Sequence, residues 1–367
     1  MMATAEIANQ VFQRLRDERA STETATYVAV PGNDRARWLL PAASPGIGRV
    51  LASWTPYRAW SRVSWAAIRA ASRTGRITQF PGVSVLEVEG TRDADWESLG
   101  WRSHEPPIPV IYLGTPGSRR KAVVHLVDRA SGECKAVVKV PLTEEAKVAV
   151  LHEAEVLEAL AGEQYEFSPR LLHVDWGRAI TTQTFMEGRS GSRKLTPKFW
   201  QLLQSLLLQD ETTTLAEYAG VWSRETLSTS DDRPKSGLII AAINELRDDS
   251  PLPACWEHGD FTPWNIKRLP DGGCALLDWE DARRRGLPLQ DAFHFLHIQD
   301  WLFDQRPTLH AAEMSDGAVG MAVNPAQVPT LEATYLINSY LKCIREHNHE
   351  RARFLSRTLA LWRRKAA

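Results

Sequence analysis

Apolar residues divide the chain into one part with strand patterns and another with helix patterns. Between 110 and 188, short apolar runs alternate with turn residues, and one strongly periodic segment interrupts them at Thr143–Ala161. We therefore expect a small antiparallel sheet that holds one helix. From Leu195 onward the pattern is mainly helical, except for an island of loop, strand, turn and strand between Trp256 and Trp279.

The first hundred residues predict a separate mixed pattern. We expect short strands at Tyr27–Pro31, Arg37–Leu40 and Val83–Val88, and helices at Ile7–Arg19 and Val50–Arg73, where Pro56 limits where the second helix can start. A proline-rich stretch at 100–109 is typical of a linker. The predicted domains are an extra N-terminal module (1–105), a sheet-bearing lobe (106–188) and a helical lobe (189–367).

The composition is that of a globular protein. Of 367 residues, 43% are hydrophobic and 24% charged, which excludes a disordered chain and a disulfide scaffold. Four scattered cysteines show no metal-ligand spacing, and no apolar run approaches the roughly 20 residues of a membrane span. The start of the chain has no apolar signal-peptide core, so we expect a cytoplasmic protein.

One motif in the island suits phosphoryl transfer. His258-Gly-Asp260-Phe-Thr-Pro-Trp-Asn265 occupies one tight loop, and Asp278 ends the second strand of the hairpin that follows. In phosphoryl transfer a carboxylate orients the attacking hydroxyl and accepts its proton. An amide oxygen and a second carboxylate are suitable ligands for Mg²⁺ against the phosphates.

A lysine and a glutamate upstream strengthen this interpretation. Lys139 lies in a β-branched strand, where burial is costly without an ionic partner, and Glu153 follows on the helix. A strand lysine paired with a helix glutamate holds nucleotide phosphates in kinases. Glu155 is an alternative partner. A lysine whose ammonium reaches solvent is the alternative interpretation, but Glu153 and the Asp260 loop favour the nucleotide role. Gly114 and Gly117 let a backbone approach phosphates, although an ordinary hairpin loop has the same residues.

With these motifs, residues 110–295 resemble the aminoglycoside phosphotransferase and choline kinase superfamily, the small-molecule branch of the protein-kinase-like fold. The resemblance implies an α+β, two-lobed fold with the nucleotide between the lobes, preceded here by the extra module. It also implies ATP and Mg²⁺ as cofactors. The segment between Gly114 and Gly117 lacks the full kinase glycine pattern.

The resemblance also implies the roles of individual residues. It makes Asp260 the catalytic base, Asn265 and Asp278 the Mg²⁺ ligands, and Lys139 the contact to the α- and β-phosphates, with Glu153 as its partner. His258 is implied to brace the catalytic loop rather than react. It further makes Asp291 a mainly structural residue, and Phe185 to Gly188, including Glu187, the segment that reads adenine. Glu280 and Asp281 are interpreted as solvated.

The resemblance implies that the acceptor is a hydroxyl group of a small molecule. After Asp278 there are ten acidic and twelve basic residues, so no acidic excess favours a cationic acceptor. We therefore favour a carbohydrate or an anionic glycan. The alternatives are an aminoglycoside or choline-type alcohol, and a non-catalytic nucleotide-binding scaffold. Protein-kinase activity is disfavoured by Gly259 and by the lack of an activation segment between Asp278 and Asp291.

The N-terminal module is rich in arginine and tryptophan. Residues 35–86 contain eight arginines and no aspartate, glutamate or lysine. An arginine-lined helix at 50–73 fits a solvated basic face, which we favour, peripheral contact with an anionic membrane, or a face towards an anionic substrate. The pattern does not favour nucleic acid. We expect Trp54, Trp60 and Trp65 to pack in a core rather than to form a surface for sugar stacking or for a membrane interface.

Overall fold

A computed structural model describes residues 4–16, 24–32, 35–43, 47–89, 94–220 and 250–366. The strands are β1 Thr24–Val30, β2 Trp38–Pro41, β3 Ser84–Glu89, β4 Ile108–Leu113, β5 Lys121–Val127, β6 Cys134–Pro141, β7 Leu171–Asp175, β8 Ile180–Thr184, β9 Arg189–Ser190, β10 Leu207–Thr213, β11 Leu252–Glu257, β12 Ile266–Arg268, β13 Cys274–Leu276 and β14 Arg283–Gly286. The α-helices are α1 Thr4–Leu15, α2 Gly48–Ala52, α3 Ala59–Arg73, α4 Glu144–Gly162, α5 Pro197–Ser205, α6 Leu215–Gly220, α7 Gln290–Gln299, α8 Ser315–Gly320, α9 Val328–Arg345 and α10 His349–Ala366. A π-helical turn at Asp300–Asp304 follows α7, and short 3₁₀ turns lie at Ile77–Gln79, Ala311–Glu313 and Pro325–Gln327.

The chain forms two compact units. The first consists of Met1–Ser190 together with Lys267–Glu280, and the second of Gly191–Ile266 together with Asp281–Ala367. Among the described helices, none has both the length and the apolar composition needed to cross a bilayer.

One eight-stranded sheet dominates the first unit. Its strand order is β3-β1-β2-β4-β5-β6-β8-β7, and every neighbouring pair is antiparallel. The strands of residues 1–105 therefore continue the sheet of the predicted lobe, because β2 pairs directly with β4. The domain boundaries drawn from the sequence remain a prediction.

Alternation along the strands gives the sheet two apolar faces. In β1, Tyr27 belongs to the cluster that contains α1, while its neighbour Val28 belongs to the cluster that contains α2 and α3. Successive side chains of a strand point to opposite faces, so the N-terminal helices cover both sides of this end of the sheet.

Aromatic rings fill the face covered by α2 and α3. Trp38 lies with its ring centroid 5.9 Å from Trp54, 5.5 Å from Trp65 and 5.0 Å from Tyr112. Trp54 is half-buried and Trp65 is buried, whereas Trp60 is 85% exposed. The expected core packing therefore describes Trp54 and Trp65 but is wrong for Trp60.

Lys267 is a buried lysine on the same side of the unit. Its ammonium donates a hydrogen bond to the carbonyl oxygen of Ser53, and burial lowers its pKa to about 8. His125, whose pKa burial lowers to about 4, lies 5.8 Å from Trp38 and 6.0 Å from Phe185, measured between ring centroids. The segment expected to read adenine therefore begins beside this aromatic cluster.

The second unit is mainly helical. Its three-stranded sheet has the order β10-β11-β14, and α9 packs against both α7 and α10. The rings of Phe199, Phe261 and Phe295 meet in its core, with centroid distances of 5.9 to 6.5 Å.

Most predicted elements are present, and three predictions are wrong. The single helix expected over Val50–Arg73 is two helices, because residues 53–58, including Pro56, interrupt it between α2 and α3. Strands β10 and β14 lie where the sequence predicted helix, since both pair with β11, which is distant along the chain. Residues 17–19 of the first predicted helix, and the helical pattern over 221–249, lie outside the described residues.

Candidate active site

Lys139 and Glu153 form a buried ion pair in the first unit. Lys139 lies in β6, and its Nζ donates to Glu153 Oε1 at 2.6 Å and Oε2 at 2.5 Å. Glu153 is on α4, which begins where the Thr143 hydroxyl accepts a hydrogen bond from the Ala146 amide. Glu153 is fully buried and Lys139 is 6% exposed, so each of the two charges needs an ionic partner.

The alternative partner does not make this contact. The side chain of Glu155 is 65% exposed and lies 3.9 Å from His152. Glu153 is thus the partner of Lys139, as the sequence predicted.

Asp278 joins this pair and brings a second lysine. Asp278 Oδ1 accepts from Lys139 Nζ at 2.8 Å and from Lys121 Nζ at 2.6 Å. Burial alone raises the pKa of Asp278, but the two ammonium groups outweigh it and hold the pKa well below its usual range. Lys121, the first residue of β5, was not predicted.

Lys121 also pairs with Glu280, which the sequence analysis wrongly took as solvated. The Glu280 side chain is 16% exposed, and burial, together with the charge of Asp278, raises its pKa to about 7. Strand alternation contained the signal for Lys121: Val123 pairs with Lys139, and a residue two positions from Val123 lies on the same face.

The backbone at Asp278 is strained. Its φ angle is +69°, in the left-handed region that a residue with a side chain rarely adopts, at a cost of about 1 kcal/mol or more. The turn is fixed by Trp279, whose amide donates to Glu153 Oε1 at 3.1 Å and whose indole donates to the Leu276 carbonyl at 2.9 Å. Glu153 therefore holds both the lysine and the turn that carries Asp278.

The predicted nucleotide-binding glycines and Glu187 differ in their surroundings. Gly114 closes the β4–β5 hairpin, where a Cβ atom would lie 2.8 Å from the Lys121 carbonyl oxygen. A Cβ at Gly117 would meet no atom of the described residues within 4 Å, and Glu187 is exposed between β8 and β9. Hairpin geometry accounts for Gly114, and contact of these three residues with a nucleotide remains a prediction.

In the second unit, Asp260 is held by its loop. Asn265 Nδ2 donates to Asp260 Oδ2 at 2.8 Å and to the Asp260 carbonyl at 3.0 Å. The Asp260 amide donates to His258 Nδ1 at 3.2 Å. The structure thus brings His258, Asp260 and Asn265 together, and the Asp260 side chain remains 34% exposed.

Asp291 anchors the start of this loop. Its carboxylate accepts from the His258 amide at 2.7 Å and the Gly259 amide at 2.9 Å. Burial and the nearby charge of Glu257 raise the pKa of Asp291 to about 7. Gly259 has a φ of +77°, and a Cβ there would lie 2.6 Å from the Asp281 carbonyl oxygen, so only glycine fits.

His294 was missed by the sequence analysis. Its Nε2 lies 3.0 Å from Asp260 Oδ1, and its Nδ1 lies 3.3 Å from the Tyr335 hydroxyl. Burial lowers the pKa of His294, so the neutral ring donates from Nε2 to the carboxylate. The only signal is that His294 follows Asp291 by three residues, a spacing that places both on one helix face.

Two cations complete the surroundings of Asp260. Lys342 and Arg351, on α9 and α10, both interact electrostatically with Asp260. Lys342 also pairs with Asp281 at 2.7 Å, so the expectation that Asp281 is merely solvated is wrong. The Arg351 guanidinium lies 5.8 Å from the ring centroid of Trp301, on the π-helical turn.

A family model described as the phosphotransferase enzyme family matches residues 116–323, more than half of the chain. The chain belongs to that phosphotransferase family. The match contains every predicted site residue of this phosphotransferase except Gly114. No curated protein sequence matches it.

Solved structures share the fold of this phosphotransferase at low sequence identity. Aminoglycoside phosphotransferase APH(4)-Ia is similar with a TM-score of 0.51 and 14% identity, over 70% of this chain and 94% of that one. A thermostable mutant of that enzyme, in a ternary complex with AMP-PNP and hygromycin B, gives the same values. Choline kinase LicA from Streptococcus pneumoniae has a TM-score of 0.46 and 14% identity, over 68% of this chain and 92% of that one. The predicted α+β, protein-kinase-like fold is confirmed.

Proposed function

We propose that this protein transfers the γ-phosphoryl group of ATP to a hydroxyl group of a small molecule. The family gives the reaction class. The observation that carries the proposal is the buried pair of Lys139 and Glu153 with the half-buried Asp278, which holds an ammonium group beside an ionised carboxylate. Phosphoryl transfer needs these two groups for the phosphates and their metal ion.

On the nucleotide side, Lys139 holds the phosphates and Glu153 keeps it in place. Lys121 joins it, and both lysines exchange Asp278 for phosphate oxygens when ATP is bound. The backbone at Gly114 and Gly117 approaches the phosphates. Glu187 lies in the segment that reads the base.

Asn265 and Asp278 are the proposed Mg²⁺ ligands, and their chemistry fits that ion. The Asp278 carboxylate is ionised, and Asn265 uses its amide nitrogen towards Asp260, so its oxygen is the atom left for a metal. Hard oxygen donors are what Mg²⁺ prefers. Bound Mg²⁺ neutralises charge that develops on the phosphates.

Asp260 is the proposed base. Asn265 fixes one carboxylate oxygen and His294 the other, so the side chain is oriented before the acceptor arrives. Asp260 orients the acceptor hydroxyl for attack and takes its proton as the bond to phosphorus forms. His258 takes no part in proton transfer, because its ring holds the Asp260 amide.

The acceptor that fits best is a neutral or anionic carbohydrate. Lys342 and Arg351 act on the Asp260 carboxylate, so a cationic aminoglycoside or choline would meet like charges in this unit. Trp301, half-buried beside Arg351, offers the flat apolar surface on which a sugar ring stacks.

An ATP-consumption assay with four acceptor panels tests this proposal. The panels are neutral sugars, sugar acids, aminoglycosides and choline-type alcohols, each with MgATP. We expect turnover with a sugar or sugar acid. Turnover with aminoglycosides or choline alone would overturn the acceptor class, and no turnover with any panel, together with MgATP binding, would favour the non-catalytic scaffold.

Two variants separate the roles. Asp260→Asn should abolish transfer while MgATP still raises the melting temperature, whereas Asp278→Asn should lose the MgATP-dependent rise. Asp316→Asn, on the exposed start of α8, is the matched control and should behave like wild type. Full turnover by Asp260→Asn would refute its role as base.

A further inference from the structure

A second group of ligand-type side chains lies in the second unit, at the end of α7. One ring nitrogen of His297, one of His310 and a carboxylate oxygen of Asp300 all lie within 4.8 Å of one another. His297 is 1% exposed, His310 is 7% exposed, and Asp300 is half-buried. The phosphoryl-transfer proposal uses none of these residues.

The Nε2 atom of each imidazole pairs with a carboxylate. His297 Nε2 lies 3.0 Å from Glu332 Oε1, and His310 Nε2 lies 2.7 Å from Asp300 Oδ2. A carboxylate accepts hydrogen bonds, so each ring donates from Nε2, and Nδ1 is the ring nitrogen that remains to bind a metal ion.

Both Nδ1 atoms are buried and have no hydrogen-bond partner among the residues that the structure describes. Buried polar atoms nearly always have a partner, and an unmet one costs about 1 to 3 kcal/mol. The two rings lie close together, with centroids 4.9 Å apart, so a single bound ion would satisfy both nitrogen atoms. Glu313 Oε1 lies 3.9 Å from His310 Nδ1, too far for a hydrogen bond but within the span of two ligands of one metal ion.

Glu332 supplies the support that metal-binding histidines usually have. It is fully buried, and besides His297 it accepts from the backbone amides of His310 at 2.6 Å and Ala311 at 3.1 Å. One carboxylate on α9 thus fixes both a ring orientation and the backbone that carries the second ring. Such carboxylate–histidine pairs set the tautomer of metal ligands.

We propose that the Nδ1 atoms of His297 and His310, with carboxylate ligation from Glu313, form a structural binding site for a divalent transition metal ion, best matched by Zn²⁺, while Asp300 orients His310 through Nε2. Imidazole nitrogens with a carboxylate oxygen suit zinc rather than the hard Mg²⁺. The ion joins the end of α7 to the segment around His310, and through Glu332 to α9. This site is separate from the proposed active site and does not depend on phosphoryl transfer.

Metal analysis of the untagged full-length protein tests the proposal. After dialysis against metal-free buffer, we expect about one zinc per chain by mass spectrometry, and chelation should lower the melting temperature. His297→Gln and His310→Gln should each lower zinc affinity by about tenfold or more. The control is the double variant His347→Gln/His349→Gln, two exposed histidines of the same unit, which should keep wild-type zinc.

A titration keeps the test decisive where a variant fails to fold. Chelator-treated wild type is titrated with ZnCl₂ in a calorimeter, and we expect one site with a Kd below about 1 μM. Wild-type protein that neither retains zinc nor binds it in the titration overturns the proposal. Zinc retained equally by His297→Gln and His310→Gln also overturns it, because the ion then lies elsewhere.

Discussion

Removing the charge of Glu153 tests how far the buried ion pair supports the first unit. In Glu153→Gln the Lys139 ammonium keeps Asp278 at 2.8 Å but loses both short contacts to the glutamate, and the Trp279 amide loses a charged acceptor. Breaking a buried ion pair from one side costs about 3 to 5 kcal/mol. Because Asp278 remains, we expect the lower end, about 3 kcal/mol.

A double-mutant cycle isolates the pair itself. Lys139→Met alone leaves Glu153 buried without its cation, whereas the double variant removes both charges. The double variant should therefore be more stable than the sum of the single losses by at least about 2 kcal/mol. Urea unfolding followed by tryptophan fluorescence measures the four free energies of unfolding.

An exposed pair on the same helix is the control. Glu144 and Lys147 lie 2.8 Å apart, but their side chains are 82% and 34% exposed. The same cycle with Glu144→Gln and Lys147→Met should show a coupling below about 0.5 kcal/mol. Additive effects at Lys139 and Glu153, within about 0.5 kcal/mol, would refute the reasoning.

Three further changes have definite expectations. The pKa of Glu280 is raised to about 7 in the folded protein, so the stability that this residue contributes is lost as pH rises from about 4.5 to 7. Relative to Glu280→Gln, the free energy of unfolding of wild type should fall by about 3 kcal/mol between urea titrations at pH 4.5 and 8. The same difference between the two proteins at both pH values would contradict this. The pKa of Lys267 is lowered to about 8, so relative to Lys267→Met the free energy of unfolding of wild type should rise by about 2 to 3 kcal/mol from pH 7.5 to 10. If the urea midpoints of the two proteins differ equally at both pH values, the lysine does not lose its proton in a buried position. Gly259→Ala should lower the melting temperature and the turnover number together, because its Cβ would lie 2.6 Å from the Asp281 carbonyl oxygen; normal values for both would disprove the steric argument.

The Lys139–Glu153 pair could be predicted from the sequence because each of the two residues lies in a strong local pattern. A β-branched strand makes the lysine conspicuous, and the periodic helix that follows places Glu153 on its buried side. The motif from His258 to Asn265 was accessible for a similar reason, since its spacing lies within one loop.

Lys121 and His294 were missed because their partners are distant in the sequence. Lys121 meets Asp278 across 157 positions, and His294 meets Asp260 across 34. Neither residue lies in a distinctive local pattern, so only strand register and helix packing reveal them. The pairing of β2 with β4 was hidden for the same reason, because no hairpin turn joins these strands.

The continuous sheet makes residues 1–105 inseparable from the strand that carries Lys139. Cutting the chain before β4 would remove β2 and leave the outer backbone amides and carbonyls of β4 without partners, while the apolar side chains beneath α1, α2 and α3 would face water. A bare strand edge of this kind recruits other strands, so a shortened protein would be prone to self-association. By pairing with this strand edge, residues 1–105 therefore protect the protein against aggregation.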